Sequence, residues 1–407
     1  MENLIGWLFL LIIFFFTFAW TKKIPHTKFF LITALLLRSL LLIFDQYDLV
    51  NLPDSGQDTK KFDRLAIEFS SNYGLMVVFD FLKGDSYLIS RFISIFYTIF
   101  LPSEFMSRSL SVALGTASVY LVYQLCLLLW DHRSATRAAW VMAIFPSLIL
   151  YSSLALREVY IVFFLLTGLI GIVKFLRNKT ITLFLQIILS FFTLMFFHGP
   201  MILGVFIFLS YLLLSLVKKQ LIKVDSLKID IFSLFFIVAS TTIVILFLTN
   251  LISIPYIGGF HALFNLDLLI SKSNSAIIGN ASYPSWLIIN NNYEYFPKSI
   301  VKIFYFLYSP FIWDIKSIYQ IIGLVDGMLY AILTIYLFRN WRTIWANPIT
   351  RIFILIFIAY VIVYGLSVGN FGTGIRHRSK FVVILIILVA PKIQKFIFST
   401  KKKLYKK

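Results

Sequence analysis

Long apolar stretches recur along the whole chain, and they constrain its fold more than any other feature. A helix needs about 20 predominantly apolar residues to cross a bilayer. Eleven segments of the sequence meet or approach that length: 4–20, 28–44, 109–130, 138–154, 159–176, 181–197, 201–217, 231–251, 320–338, 352–368 and 381–397. We therefore expect an all-α, polytopic integral membrane protein, with about eleven transmembrane helices in one membrane-embedded domain over 1–407.

The composition agrees with a membrane-embedded chain. Hydrophobic residues make up 60% of the sequence and charged residues 14%, whereas a soluble domain carries roughly 25% charged residues. The net charge of +19 would suggest nucleic-acid binding in a soluble protein. Here Lys and Arg form short clusters between apolar stretches, which is a topology signal. We therefore expect membrane lipids and no nucleic acid as partners. The sole cysteine, Cys126, lies in an apolar stretch and is expected to be a structural thiol.

The basic residues also indicate the orientation, because cytoplasmic loops are enriched in Lys and Arg. With eleven spans, all six basic clusters fall on one side. These clusters begin at Lys22, Arg133, Lys174, Lys218, Arg339 and Lys401. We therefore expect the N-terminus outside and the C-terminus inside the cell's inner (plasma) membrane. The short apolar stretches 87–101 and 300–313 are then not spanning.

This topology places two long loops, 45–108 and 252–319, on the outer face. The predicted cytoplasmic loops are short and basic and leave no room for a site. Any chemistry is therefore expected to face the periplasm or exterior.

Two aspartates precede a predicted amphipathic helix in the first outer loop. From Phe62 to Phe69, apolar residues recur at i, i+3, i+4 and i+7, which predicts a helix lying on the membrane face. Asp54 and Asp58 lie at its start, where carboxylates favour a helix N-terminus. The functional alternative is that one of them is a general base, or that the two bind a divalent cation. The sequence leaves open which of the two carries the chemistry.

Further charged residues lie where apolar segments meet. Arg157 and Glu158 separate the fourth and fifth segments. They are either a solvated turn or an arginine that binds a phosphate and is held by a carboxylate. His198 follows the sixth segment and is either structural or a titratable group of the site.

The stretch 369–380 is basic although the predicted topology places it outside. It contains Arg376, His377 and Arg378 after three glycines, against the positive-inside bias of the remaining chain. Glycines let the backbone approach a ligand closely. Backbone N–H groups of such a turn, with two arginines, would hold a phosphate or pyrophosphate. The alternative is pairing with lipid headgroups.

Several segments between 28 and 200 resemble the GT-C glycosyltransferase superfamily, multi-helix enzymes that use lipid-linked sugars. The resemblance lies in a long outer loop that opens with a carboxylate before an amphipathic helix. The residues that carry it are Asp58-Thr59-Lys60-Lys61-Phe62 with Leu65-Ala66, Arg108-Ser109-Leu110-Ser111, Ala138-Ala139-Trp140, Phe145-Pro146-Ser147, Tyr151-Ser152-Ser153 and Arg157-Glu158.

The resemblance implies a glycosyltransferase that moves a sugar from a polyprenyl-phosphate carrier to an envelope glycan, lipid or protein. It implies that Asp58 is the catalytic base. Arg157 and Glu158 would line the outer cavity, and Arg376 or Arg378 would bind lipid phosphate. The chain departs from the superfamily at the extra segment 4–20, at Thr59 after the first carboxylate, and at the glycine-rich turn, which looks more like envelope polysaccharide proteins.

Two other classes remain open on sequence alone. An oligosaccharide repeat-unit polymerase of the O-antigen type also has about a dozen spans and outward arginines. A lipid-linked glycan transporter would have charged or broken helices near the bilayer midplane. No cofactor is predicted beyond a possible divalent cation at the aspartates.

Overall fold

The computed structural model describes residues 2–393 except 57, 82–86, 223–237, 239–240, 243–244, 246–248, 250–264, 278–280, 316 and 318. The described residues are mainly helical and contain no strand. The α-helices are α1 Glu2–Lys23, α2 Lys28–Gln46, α3 Asp58–Tyr73, α4 Leu88–Phe100, α5 Glu104–Leu129, α6 His132–Ile144, α7 Pro146–Ser152, α8 Arg157–Arg177, α9 Ile181–Phe197, α10 Leu203–Ile222, α11 Leu266–Ser275, α12 Asn292–Tyr308, α13 Tyr319–Arg339, α14 Trp341–Ala346, α15 Pro348–Ser367, α16 Phe371–Ser379 and α17 Val382–Val389.

Six helices in the described part of the chain are long and apolar enough to cross a bilayer: Glu2–Lys23, Pro25–Gln46, Glu104–Leu129, Arg157–Arg177, Gln320–Arg339 and Pro348–Ser367. Each coincides with a predicted span, and several such helices in one chain are typical of a polytopic membrane protein. The predicted spans 181–197, 201–217 and 381–397 form shorter apolar helices. The predicted span 231–251 lies almost entirely outside the described residues.

The predicted span 138–154 is a pair of helices, α6 and α7, bent by 61°. Pro146 begins α7, and the preceding Phe145 is extended with φ −69° and ψ 121°. Proline disfavours helical backbone in the residue before it, which explains the break. Arg38, fully buried in α2, donates from Nη1 to the carbonyl of Ala143 at 3.1 Å and from Nη2 to that of Met142 at 3.4 Å. It thereby caps the last carbonyls of α6, which have no partner within the helix.

Helix α5 lies at the centre of the first half and packs against α1, α2, α6 and α8. Its Gly115 allows a close approach, since a Cβ there would lie 2.5 Å from the Cβ of Ser152 in α7. The amphipathic helix of the first loop forms as α3, with Phe62 and Ala66 buried and Lys61 exposed. The short apolar stretch 87–101 forms α4, which packs against α3.

Candidate functional site

Arg376 joins three segments that are far apart in the sequence. Its Nε donates to Glu158 Oε1 in α8 at 2.8 Å, and its Nη1 donates to Asp58 Oδ2 at the start of α3. Such charge-assisted hydrogen bonds are roughly twice as strong as neutral ones. The structure therefore brings together three residues that the sequence singled out separately.

Helix α16 positions Arg376, and it replaces the glycine-rich turn expected from the sequence. The Asn370 side chain accepts hydrogen bonds from the backbone N–H groups of Gly372 and Thr373, an N-cap that starts the helix. The Gly374 N–H donates to the Asn370 carbonyl at 2.8 Å. These backbone groups have partners within the protein. The prediction that backbone N–H groups of a turn bind a phosphate was therefore wrong. Side chains remain as the anion-binding groups.

Glu158 is the centre of a buried network of charges. Only 1% of its surface is exposed. Its Oε1 also lies 3.5 Å from Lys380 Nζ, and its Oε2 has no hydrogen-bond partner within the described chain. The fully buried Lys380 Nζ in turn lies 2.6 Å from His377 Nδ1. Burial lowers the pKa of Lys380 well below its usual value, while Glu158 opposes that shift.

His198 and His377 pack against each other beside this network. Their rings lie 5.1 Å apart, and His198 Nδ1 is 2.9 Å from the hydroxyl of Tyr364 in α15. Burial lowers the pKa of both histidines far below the usual value, because a charged imidazole loses hydration there. We conclude that both are neutral near pH 7 and contribute no cation for a phosphate.

Among the described residues, Arg157 has fewer charged partners than the other cations of this site. Its Nη1 donates to the Phe197 carbonyl at 3.4 Å, and its guanidinium lies 5.8 Å from the ring centre of Phe62. Across the described residues it forms no ion pair shorter than 4.0 Å. It is therefore better placed than Arg376 to take a phosphate.

Arg378 was expected to bind lipid phosphate, but its guanidinium group is bound within the protein. Its side chain is fully buried, and its Nε donates to Asp326 Oδ2 at 2.9 Å. Its Nη1 and Nη2 donate to backbone carbonyls, including that of Ser309 at 2.6 Å and that of Gly323 at 3.2 Å. With all three nitrogens engaged inside the protein, Arg378 holds α12, α13 and α16 together.

Asp54 lies at a cavity of about 300 Å³ between the first loop, α7, α13 and α16. Its φ of 68° is unusual for a residue with a side chain. Strained backbone of this kind clusters at functional sites. Burial raises the pKa of Asp54, and nearby Arg376 partly offsets the shift. The cavity is lined by Pro53, Asp54, Ser147, Leu150, Tyr151, Ala281, Pro310, Ser317, Gln320, Ile322, Gly323, Asp326, Phe371, Gly372 and Ile375.

The predicted divalent-cation site has no cluster of ligands to support it. Within the described ranges, no group of three or more His, Cys, Asp or Glu side chains could hold a metal ion. Two of the nearby carboxylates, Asp58 and Glu158, are paired with Arg376 instead.

Sequence reasoning missed two groups of this site. Lys380 closes the basic stretch, and nothing in the sequence distinguishes it from a surface lysine. Tyr364 lies near the end of an apolar segment, where tyrosines usually mark the membrane interface. Packing of α15 against α16 brings Tyr364 to His377, and packing of α15 against the turn after α9 brings it to His198.

Comparison with family models, curated proteins and solved structures finds no match to this chain.

Proposed function

We propose that the protein is a membrane glycosyltransferase that moves a sugar from a polyprenyl-phosphate carrier to a glycan, lipid or protein acceptor. The observation that carries the proposal is that α16 contributes one residue to the cavity and the next residue to the charge network. Asp54 and Ile375 line the cavity, while the next residue, Arg376, joins the charge network beside Arg157. Asp54 also interacts electrostatically with Arg376. A proton acceptor in the cavity therefore lies beside the cationic network, although neither Arg157 nor Arg376 lines the cavity.

The proposed orientation is N-terminus out and C-terminus in, with the site facing the periplasm or exterior. The six basic clusters support this orientation, since all lie on one side when eleven spans are counted. Nucleotide sugars are absent on that face, so a lipid carrier is the suitable donor. Its phosphate would lie at the membrane surface and its sugar in the cavity.

The reaction is a displacement at the anomeric carbon of the sugar. Asp54 takes the proton of the acceptor hydroxyl while the acceptor oxygen bonds to the anomeric carbon. The bond from that carbon to the phosphate oxygen breaks, and the lipid phosphate leaves with one additional negative charge. Arg157 and Arg376 stabilise this charge, in a site where fixed cations count more than in water.

The geometry favours Asp54 over Asp58 as the base. The Asp58 carboxylate accepts a hydrogen bond from Arg376, which makes it a weaker proton acceptor. Asp54 lines the cavity, and its pKa is raised by burial. We therefore assign Asp58 to hold Arg376 in place. This proposal departs from the family resemblance, which implied that Asp58 is the base.

Mass spectrometry of polyprenyl lipids tests the proposal in cells that lack the gene, carry it, or carry Asp54→Asn. We expect lipid phosphate bearing one sugar to accumulate without the gene and with Asp54→Asn, but not with the intact gene. Accumulation of complete lipid-pyrophosphate repeat units would favour the polymerase instead. Unchanged lipid pools would overturn both enzymes and favour a transporter.

A further inference from the structure

The cavity beside Asp54 differs in chemistry from the charge network around Arg376. Among the described residues that line the cavity, the carboxylates are Asp54 and Asp326, and none is a lysine, an arginine or a histidine. Four other lining residues have hydrogen-bonding side chains: Ser147, Tyr151, Ser317 and Gln320. Most of the remaining wall is apolar. The cavity therefore offers hydrogen bonds and apolar contacts to a ligand, but no positive charge.

Asp326 is neutralised within the protein. Its Oδ2 accepts a hydrogen bond from Arg378 Nε at 2.9 Å, and its Oδ1 accepts one from the backbone N–H of Ser147 at 3.3 Å. The other two nitrogens of the Arg378 guanidinium donate to backbone carbonyls. Because this pair is neutral, Asp54 determines the charge of the cavity.

The cations nearest to the cavity do not line it. Arg376 interacts electrostatically with Asp54, but its side chain is bound to Glu158 and Asp58. Neither Arg376 nor Arg157 is among the lining residues. A negative charge on a ligand in the cavity would therefore lie near the Asp54 carboxylate and contact no cation. Such a juxtaposition of like charges is strongly unfavourable.

The size and the wall of the cavity suit a single sugar ring. The volume of about 300 Å³ is at the lower end of the range for ligand pockets. One part of the wall joins two distant segments, because the Phe371 N–H donates to the Ala281 carbonyl at 2.8 Å. The side chains of Phe371 and Tyr151 are almost fully buried, so packing fixes both rings. Apolar surfaces of this kind suit the C–H faces of a sugar, while the polar side chains suit its hydroxyl groups.

We infer that the donor carries an uncharged sugar and that the cavity excludes uronic acids and other anionic sugars. This inference rests on the proposed function, because it places the donor's sugar in this cavity and the donor's phosphate beside Arg157 and Arg376. The protein thereby recognises the two parts of the donor by opposite chemistry. Cations bind the phosphate, and a cavity without lining cations binds the sugar. No charged group of the sugar then competes for Asp54, which accepts the proton of the acceptor.

The lipid that accumulates in cells without the gene provides the first test. Mild acid releases the sugar from a polyprenyl phosphate, and anion-exchange chromatography with mass spectrometry determines its charge and its mass. We expect one uncharged sugar per lipid. A uronic acid or another anionic sugar would overturn the inference and leave the proposed transferase in place. Unchanged lipid pools would overturn the proposed function, and the inference with it.

Two synthetic competitors that differ by one carboxylate test the cavity itself. The purified full-length protein, in liposomes, transfers sugar from the accumulated lipid in the presence of a short-chain polyprenyl phosphate that carries glucose or glucuronic acid. The lipid and the phosphate are the same in both competitors, so any difference reports on the sugar site. We expect the glucose compound to inhibit transfer at a concentration about 100-fold lower.

Equal inhibition by the two competitors, or stronger inhibition by the glucuronic acid compound, would overturn the inference. Failure of both to inhibit transfer would overturn it as well, because an uncharged hexose should enter the cavity.

A charge introduced into the wall provides the matched pair of variants. Gln320 lines the cavity and is half-buried near the start of α13, so a lysine can be accommodated there. Gln320→Lys should reduce the preference for the glucose compound by about tenfold or more, because the new cation offsets the uronate charge. Gln320→Met has an uncharged side chain of similar length and should keep the wild-type preference. An unchanged preference in Gln320→Lys would show that charge does not govern the choice of sugar, and would overturn the inference.

Discussion

Arg376 and Arg378 lie two residues apart in α16 and serve different regions of the molecule. Successive residues of a helix are rotated by about 100°, so the two guanidinium groups point in nearly opposite directions. The Arg376 side chain is 12% exposed and meets the partly exposed Asp58 and the buried Glu158. The Arg378 side chain is fully buried and meets the fully buried Asp326.

The two arginines differ in how completely their guanidinium groups are satisfied. Every guanidinium nitrogen of Arg378 donates to a carboxylate or a carbonyl. One guanidinium nitrogen of Arg376 and one oxygen of Glu158 have no partner in the described part of the chain. Buried polar groups are rarely left unpaired without a reason. We infer that Arg378 stabilises the fold and that Arg376 binds a ligand.

The largest expected effect is on folding and comes from Arg378→Met. This change leaves Asp326 as an unpaired charge in the core, and breaking a buried pair destabilises a protein by about 3–5 kcal/mol. We expect little folded protein in the membrane, measured as the monodisperse fraction after detergent extraction.

The double variant Arg378→Met with Asp326→Leu is the control. Replacing both partners by apolar residues removes the unpaired charge, so the folded fraction should recover in part. A folded fraction unchanged in Arg378→Met alone would refute the structural role of Arg378.

The next largest effect is on the rate of sugar transfer and comes from replacing the proposed base, Asp54. Asp54→Asn keeps the backbone conformation, because asparagine also tolerates a positive φ. We expect the rate of sugar transfer to fall by about 10²- to 10⁴-fold, the usual contribution of a general base. Asp58→Asn should reduce the rate less, through poorer positioning of Arg376. An equal or larger loss in Asp58→Asn would return the role of base to Asp58.

A smaller effect is expected for Arg157→Met. Removing a hydrogen bond to a charged group costs about 1.5–3 kcal/mol, so the KM for the lipid-linked donor should rise roughly 10- to 150-fold. The KM for the acceptor should stay within about twofold if Arg157 contacts only the donor phosphate. Equal changes in both constants would indicate a disturbed fold instead.

The smallest effect is on the pH dependence of stability. Because burial raises the pKa of Asp54 above its usual 3.8, the native protein binds more protons at this group than the unfolded chain. Stability is therefore lost as the pH rises from 3.8 through the raised value. Asp54→Asn should raise the thermal midpoint at neutral pH and leave it unchanged near pH 3. A lower midpoint for the variant at neutral pH would contradict the burial argument.

The sequence predicts the helices better than the site. Apolar length identifies the six described helices that can cross a bilayer, because burial in lipid requires long apolar segments. The predicted single span 138–154 is instead a bent pair of helices around Pro146. The periodicity from Phe62 to Phe69 correctly predicts α3. The bend itself has a sequence signal in Pro146, but its capping by Arg38 depends on packing between distant helices.

The roles of the arginines could not be predicted. Arg376 and Arg378 are the same residue type and lie two positions apart in the sequence. Only their positions around the axis of α16 distinguish them. The three glycines suggested a turn, whereas the Asn370 cap starts a helix. Charge partners such as Glu158 and Asp326 come from other helices, so pairing is decided by tertiary structure.

We infer that Arg376 serves sugar transfer, whereas Arg378 stabilises the fold. The decisive measurement is the amount of lipid phosphate released per mole of folded protein, in liposomes containing a sugar-loaded polyprenyl phosphate and an acceptor. Arg376→Met should fold in wild-type amounts, because Glu158 keeps Lys380 and Asp58 is 40% exposed. Its release rate should fall by about 10²- to 10³-fold, as for the loss of one charge-stabilising donor. A rate above a tenth of the wild-type value in this variant would show that Arg376 has no major role in sugar transfer.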